Sequence, residues 1–516
     1  MLRLGGRVAF LVVCAAASFD ATGTDGARLQ PKRPDPARGE ALARQFCTSC
    51  HAFAPPEILP RGKWGSEIFE MTGLALTRTG APKGKEIALD VPMEDIVAYY
   101  EANAPRELSP PVSWPEPSNA PVPFARHSMG IRSGQLPLVA NVRLFTLKAE
   151  RGVEVFAADM SSGLVLRGSP SRPEAGLSVI AKVPNPCHTM AVDLDKDGIT
   201  DLMVANLGSV TPGDQTRGSV VWLKGKADGG FDLVTLAASL PRIADVEAAD
   251  FDGDGDLDLV VAAFGWREVG STLLFDNRTT DWSKPAFVPR EIDWRQGAIH
   301  VPAIDFDKDG RPDFIDLVSQ HHETVLAFLN QGGSFTPRTI FAAPHPAWGS
   351  SGIDLVDLDK DGRVDVLMTN GDMLDEFLLK PYHGITWLEN RGVFPFTEHV
   401  LAPLNGVHRA QAADLDGDGD LDIVACTLIP GMARYGKPLP SLVWLEQVAG
   451  GQFVRHTLET GGYHASLDLG DVDGDGDPDI VTGNFQVDQQ RTDAWVEVWE
   501  NQRPRRKAAA TDQSVP

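Results

Sequence analysis

The sequence predicts a mainly β chain: a seven-bladed β-propeller preceded by a small all-α domain. Three observations carry this. An Asp-x-Asp-x-Asp-Gly-x-x-Asp ladder recurs six times at a spacing of about 55 residues, starting at Asp193, Asp250, Asp305, Asp357, Asp414 and Asp471. Each ladder runs into a short apolar strand, as in Leu257–Ala263 or Ile423–Cys426, and three are followed by a Trp-Leu strand, Val221-Trp222-Leu223, Thr386-Trp387-Leu388 and Val443-Trp444-Leu445. Upstream of all six lies helix-type sequence around Gly39–Phe46, Lys63–Met71 and Met93–Asn103. A fixed period with four short strands per unit is a propeller signature.

Taken in order, residues 1–21 read as a secretory signal, with Arg3 and Arg7 ahead of an apolar run from Val8 to Ala17. Export to the periplasm or the outside, including association with the cell surface, follows as an expectation, and no later stretch is long and apolar enough to span a bilayer. Residues 36–108 form the helical domain. The proline-rich stretch 109–121 is an extended linker, and 122–501 is the propeller. Its first unit, about 136–185, has strands but no ladder and brings the blade count to seven. The last unit ends one strand short at Trp495–Asn501, so a segment near Val122–Arg132 or the first blade's flank is expected to close the ring. Residues 502–516 read as a disordered tail.

The formal charge is −24, but the ladders alone hold 27 aspartates, and the other 44 acids nearly balance 47 Lys and Arg. The acidity is thus local, and nucleic-acid binding through a basic face is excluded. Each ladder sets carboxylates on alternate residues, a glycine at the turn and a further carboxylate at position nine. The expected ligand sets are Asp193, Asp195, Asp197 and Asp201; Asp250, Asp252, Asp254 and Asp258; Asp305, Asp307, Asp309 and Asp313; Asp357, Asp359, Asp361 and Asp365; Asp414, Asp416, Asp418 and Asp422; and Asp471, Asp473, Asp475 and Asp479. Hard oxygens in this number suit calcium. An EF-hand would need flanking helices and a glutamate at position twelve, where the first ladder has Val204. On these residues the region 136–500 resembles the FG-GAP/VCBS repeats of integrin α subunits and many secreted bacterial proteins. The resemblance implies up to six structural calcium ions, one in each loop between the first two strands of a blade.

Cys47-Thr-Ser-Cys50-His51 is the attachment signature of one covalent c-type haem: two thiols for the vinyl groups and an adjacent imidazole for the iron. Zinc would need a second ligand pair, and no other CxxC exists in the chain. The text from Cys47 through Trp64 and Met71 resembles the cytochrome c heads that precede some VCBS propellers. That resemblance favours Met71 as the opposite axial ligand, with Met93 as the alternative. Cys187 and Cys426 are expected as free thiols.

Histidines recur just before the ladders at His188, His300, His408 and His464, with Asp245 at the matching place in another blade. These positions begin inner strands, and the long loops at Asn206–Arg217, Gln320–His322, Asn370–His383, Thr427–Ser441 and Phe485–Arg491 return to the same face. The face is expected either to cap the channel through water or to bind a redox partner protein, a small molecule or a transition metal. Together these features suggest an exported electron-transfer protein rather than a catalyst, with the propeller as docking scaffold. The alternatives are a propeller oxidoreductase passing electrons to its own haem, and an adhesion or glycan-binding propeller.

Overall fold

A computed structural model describes residues 33–49, 51–77, 91–110, 112, 120–131, 135–374, 377–487 and 494–504. The signal segment 1–21, Cys50, most of the 109–121 linker and nearly all of the 502–516 tail lie outside the described residues.

Among the described residues three α-helices form the small domain: α1 (Pro36–Phe46), α2 (Trp64–Thr77) and α3 (Met93–Asn103). Asp35 caps α1 by accepting from the Ala37 and Arg38 N–H groups, with Pro36 at the first helical position. The first helix therefore starts three residues before the apolar pattern does. It crosses α3 at Gly39, where an added Cβ would stand 1.9 Å from the Asp95 carbonyl oxygen, so only glycine permits the approach. Trp64 stacks on Tyr100 at 3.9 Å between ring centroids, and the Tyr100 hydroxyl donates to the Ala54 carbonyl at 2.9 Å. Buried Ala43, Ile58, Leu59, Trp64, Ile68, Ile96, Tyr99 and Tyr100 make this domain's own core.

The β region is a seven-bladed propeller of antiparallel four-stranded sheets. Six blades follow chain order from Val139 to Thr460, and in the fourth the inner strand is split into Ala298–His300 and Ala303–Ile304. The seventh joins His464–Gly470, Asp479–Asn484 and Val496–Asn501 to Phe124–Met129, which pairs antiparallel from Phe124 opposite Asn501 to Met129 opposite Val496. An N-terminal strand thus closes the ring. Second strands such as Asp201–Asn206 and Asp422–Thr427 are buried at every residue, because neighbouring blades cover both faces, whereas outer strands such as Phe231–Leu240 are largely exposed. Among the described residues no helix is long and apolar enough to cross a membrane.

Candidate functional site

The six ladders adopt one loop. The first carboxylate of each accepts the N–H of the position-six glycine: Gly198 on Asp193 at 2.9 Å, Gly255 on Asp250 at 3.0 Å, Gly310 on Asp305 at 2.9 Å, Gly362 on Asp357 at 2.8 Å, Gly419 on Asp414 at 3.1 Å and Gly476 on Asp471 at 3.0 Å. Those glycines have φ between +83° and +100°, a region other residues avoid. Oxygens of Asp193, Asp195 and Asp197 lie within 4.8 Å of one another, as do those of Asp250, Asp252 and Asp254, and of Asp305, Asp307 and Asp313.

The position-nine aspartates have a second task. Asp201 accepts Leu194 N–H at 3.0 Å and Gly225 N–H at 2.6 Å, and Asp422 accepts Leu415 N–H at 3.0 Å and Gln447 N–H at 2.8 Å. They pin the ladder to the third strand of its blade. Burial pushes their carboxyls up, to about 6 in Asp258 and Asp479 and about 7 in Asp422. Lys224 pairs with Asp195, Arg311 with Asp309 and Arg363 with Asp361. Converging carboxylates on a preformed turn fit a hard divalent cation.

On the opposite face, the inner strands enclose a central cavity of about 440 Å3. His188, His300 and His408 line it, and so do loop residues Leu207, Asp372, Leu428 and Phe485. His464 does not follow its three counterparts. It turns aside to Glu459, with Nε2 at 2.6 Å, and Arg126 reaches the same carboxylate at 2.7 Å. Burial alone would raise Glu459, but His464, Ser441 and Arg126 together hold it at about 2. His408 Nδ1 bonds the Ala465 carbonyl at 2.9 Å. His188 Nδ1 lies 2.5 Å from Asp245 Oδ1, and burial lowers His300 to about 4. Charged residues missed in the sequence complete the ring: Arg143 stands 3.7 Å from Asp468, Arg409 3.9 Å from Asp354, and Glu247 beside Asp245 is pushed up to about 8 by burial and that neighbouring charge. Their signal was present. Asp245 and Glu247 alternate along one strand, as channel-facing residues must.

The helical domain sits over this same face. A second cavity, of about 360 Å3, lies between the two domains. Ala54, Ile58, Leu59, Trp64 and Met71 form its helical wall, and Gln320, His321, Glu323 and Lys380 line the propeller side. Arg267 pairs with Glu70 across it, and the Tyr382 hydroxyl bonds the Ala347 carbonyl at 2.9 Å while packing on the helical core. Cys47 is half-buried at the end of α1. His51 Nδ1 makes a 2.6 Å hydrogen bond with the Ala52 carbonyl, which fixes the tautomer whose Nε2 can coordinate a metal. The His51 and His321 rings stand 6.4 Å apart. Met71 lines the cleft, whereas Met93 packs against the helical core. Cys187 and Cys426 are free, each raised by burial.

The FG-GAP-like repeat family matches residues 193–261, 305–368 and 369–425, so the chain carries FG-GAP repeats. No curated protein matches it. Among solved structures, the N-terminal domain of Nup159 is 11% identical with a TM-score of 0.41, over 75% of this chain and 98% of that one. BBS1N in complex with ARL6DN, soaked with mercury, is 11% identical with a TM-score of 0.41, over 73% of this chain and 97% of that one. Saccharomyces cerevisiae Sqt1 is 12% identical with a TM-score of 0.38, over 68% and 81%. Likenesses this weak carry no functional inference.

Proposed function

We propose that the protein is an exported haem c electron-transfer protein whose calcium-stabilised propeller is a docking and ligand-binding scaffold. The supporting observation is the cleft: Cys47 caps the end of α1 on a domain whose Ala54, Ile58, Leu59 and Trp64 face the loop side of the propeller. Cys47, Cys50 and His51 would hold the porphyrin. Trp64, Leu59 and Met71 would line its surroundings, and Met71, or His321 from the propeller side, would offer the iron a further donor. Bound haem would supply one-electron chemistry. The chain's own part is to exclude water with Ile58, Leu59 and Trp64, fix the His51 tautomer through Ala52, and brace the two domains through Arg267 and Glu70.

Ser319, Ser350 and Asp372 line both the cleft and the central cavity. This shared rim favours one second reading, in which a small molecule in the channel exchanges electrons with the haem directly. Expression with a haem-ligation system, followed by spectra of wild type, Met71→Ala and His321→Ala, tests the proposal. A covalently bound Soret absorber whose ligand-sensitive bands move in Met71→Ala supports it. A colourless product refutes it.

A further inference from the structure

One cluster of ligand-type side chains belongs neither to the ladders nor to the cleft. His188, Asp245 and Glu247 bring three donor atoms within 4.8 Å of one another, and His300 Nδ1 stands 3.6 Å from Asp245 Oδ2. The four residues come from three successive inner strands, Pro186–Val192, Ile243–Ala249 and Ala298–His300, so the packing of blades around the axis assembles them.

His188 is only 7% exposed, and its Nδ1 has no hydrogen bond of acceptable geometry even though Asp245 Oδ1 lies 2.5 Å away. An N–H···O bond settles at about 2.7–3.2 Å with the hydrogen near the line of centres. His188 Nδ1 and Asp245 Oδ1 are thus two ligand-type atoms in close contact without a well-directed hydrogen bond between them. Asp245 is itself fixed, since Oδ1 accepts Val246 N–H at 2.8 Å and Oδ2 accepts Val301 N–H at 3.0 Å. The channel arginines Arg143 and Arg409 stand nearest Asp468 and Asp354, at 3.7 and 3.9 Å, and their charges also reach Glu247 without an ion pair to it among the contacts described. A comparable group, Glu459, His464 and Glu497, already has Arg126 across both glutamates and is compensated without a metal.

We propose that His188, His300, Asp245 and Glu247 bind one divalent transition metal of the zinc and iron class. Two imidazoles with two carboxylates suit such borderline ions better than calcium. Metal–ligand distances of about 2.0–2.2 Å in a tetrahedral site separate ligand atoms by roughly 3.3 Å. The His300–Asp245 spacing is close to that already, and the His188–Asp245 pair needs to open by only roughly 0.8 Å. His188 and His300 also line the 440 Å3 cavity, which gives an ion a route to the site. The site is independent of haem and of the ladders.

Zinc is the probe. The full chain is saturated with millimolar calcium to fill the ladders, loaded with zinc, desalted and assayed for zinc per chain, with melting followed in parallel. One calcium-resistant zinc is expected, together with a higher melting temperature for the wild type. His188→Ala/His300→Ala should lose that zinc, and Asp245→Asn, which preserves side-chain shape, should weaken it by about tenfold or more. His408→Ala, whose imidazole is committed to the Ala465 carbonyl, should keep it. No retained zinc and no zinc-dependent rise in the wild-type melt would overturn the proposal, as would equal loss in His408→Ala or full retention in the double variant.

Discussion

Removing calcium is the perturbation whose size follows most directly from the six ladders. Extracellular calcium modules bind at roughly 0.1–1 mM, so at millimolar calcium each proposed site would contribute up to about 1.4 kcal/mol. Six sites acting independently would add about 8 kcal/mol, the scale of a whole domain's stability. For a propeller spanning 122–501 the unfolding entropy is roughly 0.8 kcal/mol per kelvin, so chelation should lower Tm by about 10 °C. The loops would not collapse first, because the glycine and aspartate N–H groups already hold each turn in shape. The loss should therefore come mainly from carboxylate repulsion and the released ions. Calorimetry in millimolar calcium against excess EGTA measures it, with magnesium as the control for general ionic effects. An unchanged melt would refute the structural role of calcium. A single position-nine variant, Asp422→Asn, should lose about one sixth of the shift.

Other consequences are more local. Burial pushes the Asp316 carboxyl up to about 7, against about 3.9 in an unfolded chain. A raised carboxyl contributes stability fully below pH ~4 and loses it as pH rises through about 7. Asp316→Asn should therefore gain on wild type between pH 5 and pH 8, by about 3 kcal/mol at most, in urea unfolding at the two pH values; parallel profiles would contradict this. Glu459 has the opposite sign: its pKa of about 2 makes a contribution present above pH ~4.3 that is lost as pH falls through 2. Glu459→Gln should flatten the acid limb of the stability profile, and an unaltered limb would count against the His464 and Arg126 contacts. Met129 is 1% exposed on the closing strand, and Met129→Ala should cost about 2–5 kcal/mol in the same assay.

The propeller was legible because its information is local and repeated. A ladder, a glycine at the turn and an apolar strand recur in one register, and counting them gives blades. Closure was legible only as a neighbourhood, since Phe124 pairs with Asn501, far along the chain, and no nearby residue encodes that partner. The histidines show the same division. Their place on inner strands could be read from spacing, yet His188 meets Asp245 whereas His464 turns to Glu459, a choice made by the outer strand Gln452–Thr460. Likewise Cys47 and His51 announce themselves, but the part of His321, Glu323 and Arg267 in the cleft depends on how one domain rests on the other, which sequence periodicity does not carry.

The proposed electron transfer depends on the iron porphyrin expected at Cys47, Cys50 and His51. A pyridine haemochrome spectrum of the denatured, acid-acetone-extracted chain measures it directly. One covalently retained c-type haem per polypeptide is predicted, lost in Cys47→Ala/Cys50→Ala. A wild-type chain without Soret absorbance, or one whose haem extracts freely, would contradict it.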